Sequence, residues 1–292
     1  MPELPEVEVT RRRIAPLVVG RSVRALTTTP PSYFFVTPPS QLKRRLIGRR
    51  VDALTRHGKY LFCLLDDGSR LMLHLGMTGQ LFGAGATSVR LLSTTSRAAL
   101  APERQVGFCA DQHTHLIFHF NDPGPDVLFR DVRKFGKVLW LGAGATHPRI
   151  DKLGVDALLA QPSDVQARAG KRRAPIKSVL LDQAVLAGVG NIYADEALYL
   201  AKIHPNRPAL KLTKRDWQRL IEAAQQVMRR SIELGGSSIS DYVQPDGSDG
   251  AYQDERQVYA RENQACRACG RLIQRLVIAQ RSSHFCPGCQ RR

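Results

Sequence analysis

Two Cys-x-x-Cys pairs, Cys266 with Cys269 and Cys286 with Cys289, stand 16 residues apart near the end of a 292-residue chain, and no other feature limits its folding so tightly. Four thiolates at this spacing form a tetrahedral zinc site from two knuckles on adjacent turns. Gly270 and Gly288 suit the tight knuckles, and the run from Leu272 to Ala279 reads as strand, so the spacing predicts a zinc hairpin. Four sulfurs close the coordination sphere and leave no place for a water, so one Zn2+ is expected in a structural role, holding Arg281, Arg291 and Arg292 in a basic finger. Disulfide pairing is the competing reading, and a reducing compartment disfavours it. Of the other cysteines, Cys63 in the apolar run Tyr60 to Leu65 reads as a buried strand residue, and Cys109 falls in a loop without partner spacing.

Charge points to a partner. Lys and Arg number 43 against 26 Asp and Glu, a net charge of +17 that a purely small-molecule enzyme has little reason to carry. A polyanion is the default ligand, with a merely arginine-rich soluble surface as the bland alternative. No run of 18 apolar residues occurs, and the N-terminus lacks the charged, apolar and cleavage regions of a secretory signal, so a cytoplasmic protein with no membrane partner is expected.

The hydrophobic patterning divides the chain. A helix over 5–19 is followed by short strand-like runs over 22–28, 50–55, 60–65, 70–75, 116–121 and 127–140, which predict an antiparallel sandwich or barrel. Between 82 and 112 periodicity is lost in favour of Ala, Ser, Thr, Arg and Gly, as in a surface insertion. Beyond Gly142 to Pro148 the pattern becomes helical, over 162–169, 175–187, 191–202 and 213–234, before a polar stretch from Gly235 to Gly250. The expectation is an α+β multidomain chain. It comprises an N-terminal β-sandwich domain over 1–145, a helical domain over 146–255 and a zinc finger over 256–292.

Several short motifs carry chemistry. Removal of Met1 would leave Pro2 with a free secondary amine, which titrates near pH ~8 and can attack an electrophilic carbon to give an iminium. Glu3 and Glu6 lie where both carboxylates can gather around that amine, one as general acid, although complementing the helix dipole would explain them equally. Lys59 precedes an apolar strand and is either fixed at its entrance or simply solvated. Met77 and Phe135 sit beside glycines, Phe135 after Arg133 and Lys134; they read either as core residues or as a wedge entering a distorted duplex, with arginine replacing lost pairing. The glycines of Gly188 to Asp195 directly precede a helix whose N–H groups can bind a phosphate, with Asn191 as cap or ligand. His113 and His115 alternate at a strand entrance and could meet phosphate or solvent.

Taken together, Pro2 to Glu8, His74 to Gly79, Arg133 to Gly136, the segment through Gly188 to Glu196 and the terminal Gln280 to Cys289 resemble the formamidopyrimidine-DNA glycosylase family over nearly the whole chain. The resemblance implies a β-sandwich with an N-terminal helix, then a helix-two-turn-helix domain with a zinc finger, and damaged double-stranded DNA clamped in the cleft between them. It implies attack by Pro2 on C1′, departure of the base, and strand scission by β,δ-elimination. Glu3 would donate a proton at the sugar, Glu6 would support the terminus, and Lys59 and Arg281 would serve elimination and phosphate binding. Met77, Arg133 and Phe135 would fill the gap left by the flipped nucleotide, while His113, Arg172 and Asn191 fall at DNA-contact positions. The start Glu-Leu-Pro-Glu resembles the branch acting on oxidised purines, by a monomeric bacterial enzyme held on the nucleoid through DNA. Val132 and Ala265 depart from prolines common in the family, and the 82–112 insertion is longer than usual. A non-catalytic zinc protein that recognises distorted duplex is the alternative from another class, separated only by Pro2 with Glu3.

Overall fold

In a computed structural model the described residues are 1–86, 110–239 and 242–291, so Cys109, Arg292 and most of the 82–112 stretch lie outside them. The chain forms two compact units, 1–147 with 234–253, and 148–233 with 254–292. The polar stretch after the long helix thus belongs with the first unit, and the cysteine-rich tail with the helices.

In the first unit, α1 (Leu4–Val18) starts with a capping box, in which Glu3 and Glu6 exchange side-chain to backbone bonds, and has proline in its first turn. Val7, Ile14 and Val18 form its core-facing stripe. The strands are β1 (Val23–Thr28), β2 (Val51–His57), β3 (Tyr60–Leu65), β4 (Arg70–His74), β5 (Gly79–Gly83), β6 (Thr114–Phe120), β7 (Val127–Asp131) and β8 (Lys137–Leu141). They pair antiparallel in two four-stranded sheets, ordered β1-β6-β7-β5 and β2-β3-β4-β8. Leu26, Phe118 and Phe129 from one sheet and Leu54, Leu71 and Leu73 from the other bury into one shared core. The expected sandwich is therefore present. Three local expectations are corrected: 127–140 is two strands interrupted by a turn, β5 was not anticipated, and neither was α2 (Pro39–Leu46).

The second unit holds α3 (Pro148–Asp151), β9 (Val155–Asp156), α4 (Pro162–Ala169), α5 (Ile176–Leu181), β10 (Leu186–Ala187), α6 (Asn191–Leu200) and α7 (Lys214–Glu233). It ends with α8 (Tyr252–Glu255), whose first two residues lie in the other unit, and the hairpin β11 (Gln274–Ile278) and β12 (Arg281–Phe285). The helix expected over 175–187 stops at Leu181, where Asp182 turns extended and accepts the Ala184 N–H, leading into β10. Among the described residues no helix is long and apolar enough to cross a membrane.

Candidate nucleic-acid site and zinc centre

The start of α1 concentrates buried acids. Pro2 is buried, and Glu3, Glu6 and Glu8 are 3%, 1% and 7% exposed. While Met1 is attached, the Pro2 nitrogen is a tertiary amide and has no free lone pair to attack with; hydrolysis of that one bond creates the amine. Glu6 spends both carboxylate oxygens on backbone donors: Oε2 accepts the Glu3 N–H at 2.8 Å and Oε1 accepts the Ser237 N–H at 2.9 Å. Gly236 makes the second contact feasible, because at its φ of +88° an added Cβ would lie 3.2 Å from Glu6 Cγ. Tyr242 of the same loop is buried, and burial, with the Glu6 charge next, raises its phenol well above the ordinary range.

Glu8 extends the network to the β2–β3 hairpin. Its carboxylate meets Arg11 and Arg12 at 2.8 Å each and Arg56 at 3.0 Å. Burial alone would raise its pKa, but hydrogen bonds from the three guanidiniums outweigh it and hold the group at about 2. Arg56 also donates to the Gly58 carbonyl at 3.0 Å. Gly58, at φ +56°, takes the first central position of the two-residue turn, and Lys59 the second, paired strands resuming at His57 and Tyr60. Lys59 is only 7% exposed, so the solvated reading does not describe it.

Met77 and Phe135 are 37% and 41% exposed, so neither fills the core. Met77 lies between β4 and β5, and the Arg133 guanidinium stacks over the Phe135 ring at 4.7 Å from its centroid between β7 and β8. His113 is half-buried at the mouth of β6, its N–H bonded to Asp111. His115 is buried, which lowers its pKa, and its Nε2 lies 2.9 Å from the Asp131 carbonyl.

The remaining expected residues lie in the second unit. Arg172 is exposed and pairs with Asp182 at 2.6 Å. Asn191 is the first residue of α6, while Gly190 provides the extended N-cap, which corrects the reading of Asn191 as cap. The Asn191 Oδ1 is buried without a hydrogen-bond partner among the described residues. Arg281 is exposed at the start of β12, directly after a two-residue turn in which Ala279 and Gln280 both adopt positive φ, 47° and 59°. Beneath that strand lies a buried cluster that sequence pattern did not reveal. Lys177 and Asp195, both fully buried, pair at 2.7 Å; Lys177 donates to the Ser282 carbonyl at 2.6 Å, and Asp195 accepts the His284 N–H at 2.9 Å.

The four expected cysteines converge, with all Sγ atoms within 4.8 Å of one another. Cys269 and Cys286 are 3.3 Å apart and Cys266 and Cys289 3.9 Å, far beyond a disulfide bond and close to the ~3.8 Å edge of a tetrahedron with Zn–S of ~2.3 Å. An added Cβ on Gly288 would stand 3.1 Å from Cys269 Sγ, a close approach that glycine relieves. The donor set fits one structural zinc and leaves no open ligand position.

A two-sheet sandwich with an acid-lined N-terminal helix, a helical unit and a closed four-cysteine centre together define a two-unit zinc-finger protein. Family models match over three segments: the formamidopyrimidine-DNA glycosylase N-terminal domain over 1–138, its H2TH domain over 153–243, and a zinc finger found in FPG and IleRS over 263–292. The formamidopyrimidine-DNA glycosylase of Thermus thermophilus is 40% identical, covering 99% of this chain and 98% of its own length. That of Neisseria meningitidis is also 40% identical, with all of both chains covered. Among solved structures, a Lactococcus lactis FPG mutant with Fapy-dG-containing DNA has a TM-score of 0.84 at 33% identity over 100% of both chains. The Thermus thermophilus MutM (FPG) protein gives 0.81 at 37% identity, over 99% of this chain and 98% of that one. The chain belongs to the formamidopyrimidine-DNA glycosylase family.

Proposed function

We propose that this protein is a monomeric, bifunctional base-excision enzyme that removes 8-oxoguanine and formamidopyrimidines from duplex DNA and then cleaves the strand. The reading is supported by family membership, by a MutM structure with carbocyclic 8-oxo-G-containing DNA at 33% identity, and by a Lactococcus lactis Fpg structure with abasic-site DNA. The observation that carries the chemistry is the burial of Pro2, Glu3 and Glu6 at one helix start.

After Met1 is removed, the Pro2 nitrogen attacks C1′ and displaces the base, which leaves with the glycosidic electron pair. The Glu3 carboxyl protonates O4′ as the C1′–O4′ bond opens, giving an iminium between Pro2 and the deoxyribose. That cation acidifies the C2′ proton, so the 3′-phosphate leaves by β-elimination and the 5′-phosphate by δ-elimination. Glu6 fixes the terminus through the Glu3 N–H. Lys59 and Arg281 neutralise phosphate and assist elimination. Met77, Arg133 and Phe135 occupy the vacated helix, and His113, Arg172 and Asn191 contact the backbone. Bound zinc fixes the finger and takes no part in the reaction.

Borohydride reduction during turnover of an 8-oxoguanine duplex should trap a covalent adduct on processed protein, and Pro2→Gly should abolish it. A trapped peptide other than the N-terminal one, or full activity with Met1 retained, would overturn the proposal. DNA binding without an adduct would favour a non-catalytic protein, and preference for thymine glycol would reassign the substrate class.

A further inference from the structure

Met77 and Phe135 come from connections that cross between the sheets in opposite directions. β4 lies in one sheet and β5 in the other, and β7 to β8 makes the return. Because β5 pairs with β7 through Gly79 and Asp131, and β4 with β8 through His74 and Lys137, the two crossings run side by side. At that corner Asp131 is fully buried. Its Oδ1 accepts the Thr78 hydroxyl at 2.5 Å and the Arg133 N–H at 3.3 Å, and its Oδ2 accepts the Gly136 N–H at 2.6 Å. Thr78 Oγ1 in turn accepts the Arg133 N–H at 3.1 Å. One carboxylate and one hydroxyl therefore stitch the connection carrying Met77 to the connection carrying Arg133 and Phe135.

Backbone geometry tightens the same joint. Gly76 has a φ of +65°, and a Cβ there would stand 2.5 Å from both the Phe135 carbonyl carbon and the Gly136 nitrogen. Lys134, at φ +57°, holds a left-handed conformation unusual for a side-chain-bearing residue. Such a conformation persists only where its surroundings over-determine it, and here the chain is held on either side of Lys134 by the bonds to the Arg133 and Gly136 N–H groups, while the Lys134 N–H donates to the Asp131 carbonyl at 3.3 Å. The Tyr33 hydroxyl adds a bond to the Arg133 carbonyl at 2.8 Å.

We propose that Asp131 and Thr78 are positioning residues that lock Met77, Arg133 and Phe135 into one preassembled wedge, which enters the duplex as a unit instead of ordering on contact. The inference rests on the wedge role given to those three residues above. Its energetic basis is preorganisation: side chains already held in one arrangement lose little freedom when DNA binds. The buried carboxylate suits this task because it accepts donors from both connections at once.

The test uses the full-length processed protein and its Thr78→Val, Thr78→Ser, Met77→Ala and Phe135→Ala variants. Fluorescence of 2-aminopurine beside an 8-oxoguanine reports unstacking in the duplex, and borohydride trapping on single-stranded abasic DNA reports chemistry that needs no wedge. Thr78→Val should slow the unstacking signal by about tenfold or more, the loss expected when several side chains must order on binding, while single-strand trapping stays near wild type. Thr78→Ser, which keeps the hydroxyl, should restore the fast signal. Wild-type unstacking by Thr78→Val, or an equal loss in both assays, would overturn the clamp. An unchanged signal in Met77→Ala and Phe135→Ala would instead overturn the wedge role beneath it.

Discussion

Glu8→Gln tests whether the carboxylate that ties α1 to the Lys59 hairpin acts through its charge. Folding lowers its pKa from 4.5 to about 2, so the folded state favours the ionised form. At 1.36 kcal/mol per pKa unit this caps the contribution at about 3 kcal/mol. Arg12, the most exposed of the three partners at 59%, is screened by solvent, so we expect about 1–2 kcal/mol. The sign follows from linkage: with the folded pKa depressed, the stabilisation is fully present above pH 4.5 and is lost progressively as pH falls towards 2. The chain has two tryptophans, Trp140 in the first unit and Trp217 in the second. Urea unfolding followed by Trp140 fluorescence, with Trp217→Phe in both arms, isolates the relevant unit and cancels the background cost. The stability gap between the parent protein and the Glu8→Gln variant should be constant from pH 7 to 5 and narrow below about 4.5. A gap that is independent of pH down to 3, or that widens on acidification, would refute the assignment of the effect to charge.

Two further perturbations address the second unit. Lys177→Met leaves the Asp195 carboxylate buried without its cation, and breaking such a pair costs about 3–5 kcal/mol; Trp217 fluorescence should report a lower unfolding midpoint while Trp140 is unchanged, and an unaltered Trp217 transition would contradict the burial. Chelation of zinc should expose the four thiols to Ellman's reagent, unfold the finger and reduce DNA affinity with the first unit still folded, since metal binding and folding of such sites are one event. Collapse of both units on chelation would contradict that independence.

The elements legible in the sequence are those announced by local chemistry. The helix at 162–169 is bounded by Pro162 at its start and Gly170 at its end, and the expected range matches α4 residue for residue. The zinc ligands are likewise fixed by spacing alone. By contrast, the turn that splits 127–140 depends on the non-glycine Lys134 in a left-handed conformation, which its residue type does not announce. β5 begins and ends in glycine and merges with the aperiodic stretch, while α2 opens on Pro38 and Pro39, which read as loop. The site divides the same way. Pro2, Glu3 and Glu6 are neighbours in sequence, so their convergence is readable. Thr78 meets Asp131 across 53 residues, Arg56 meets Glu8 across 48, and Lys177 meets Ser282 across 105, so only the completed sheets and helices bring them together.

Two such pairings explain how a chain terminus, ordinarily the most mobile part of a fold, can be held in place for the proposed reaction. Glu3 caps its own helix, Glu6 binds the 234–253 loop through Ser237, and Glu8 binds the Lys59 hairpin through Arg56. Two of the three acids thus reach beyond the helix to different segments, and the helix start is tied to both. The positive end of the helix dipole favours such acids, and a chain of net charge +17 supplies guanidiniums to meet them. Pro2 adds its own constraint, a ring that locks φ, so that cleavage of Met1 in the proposed reaction creates the amine on a rigid support. Little freedom then remains to be lost on the way to attack, which is the largest saving a static structure can offer a nucleophile.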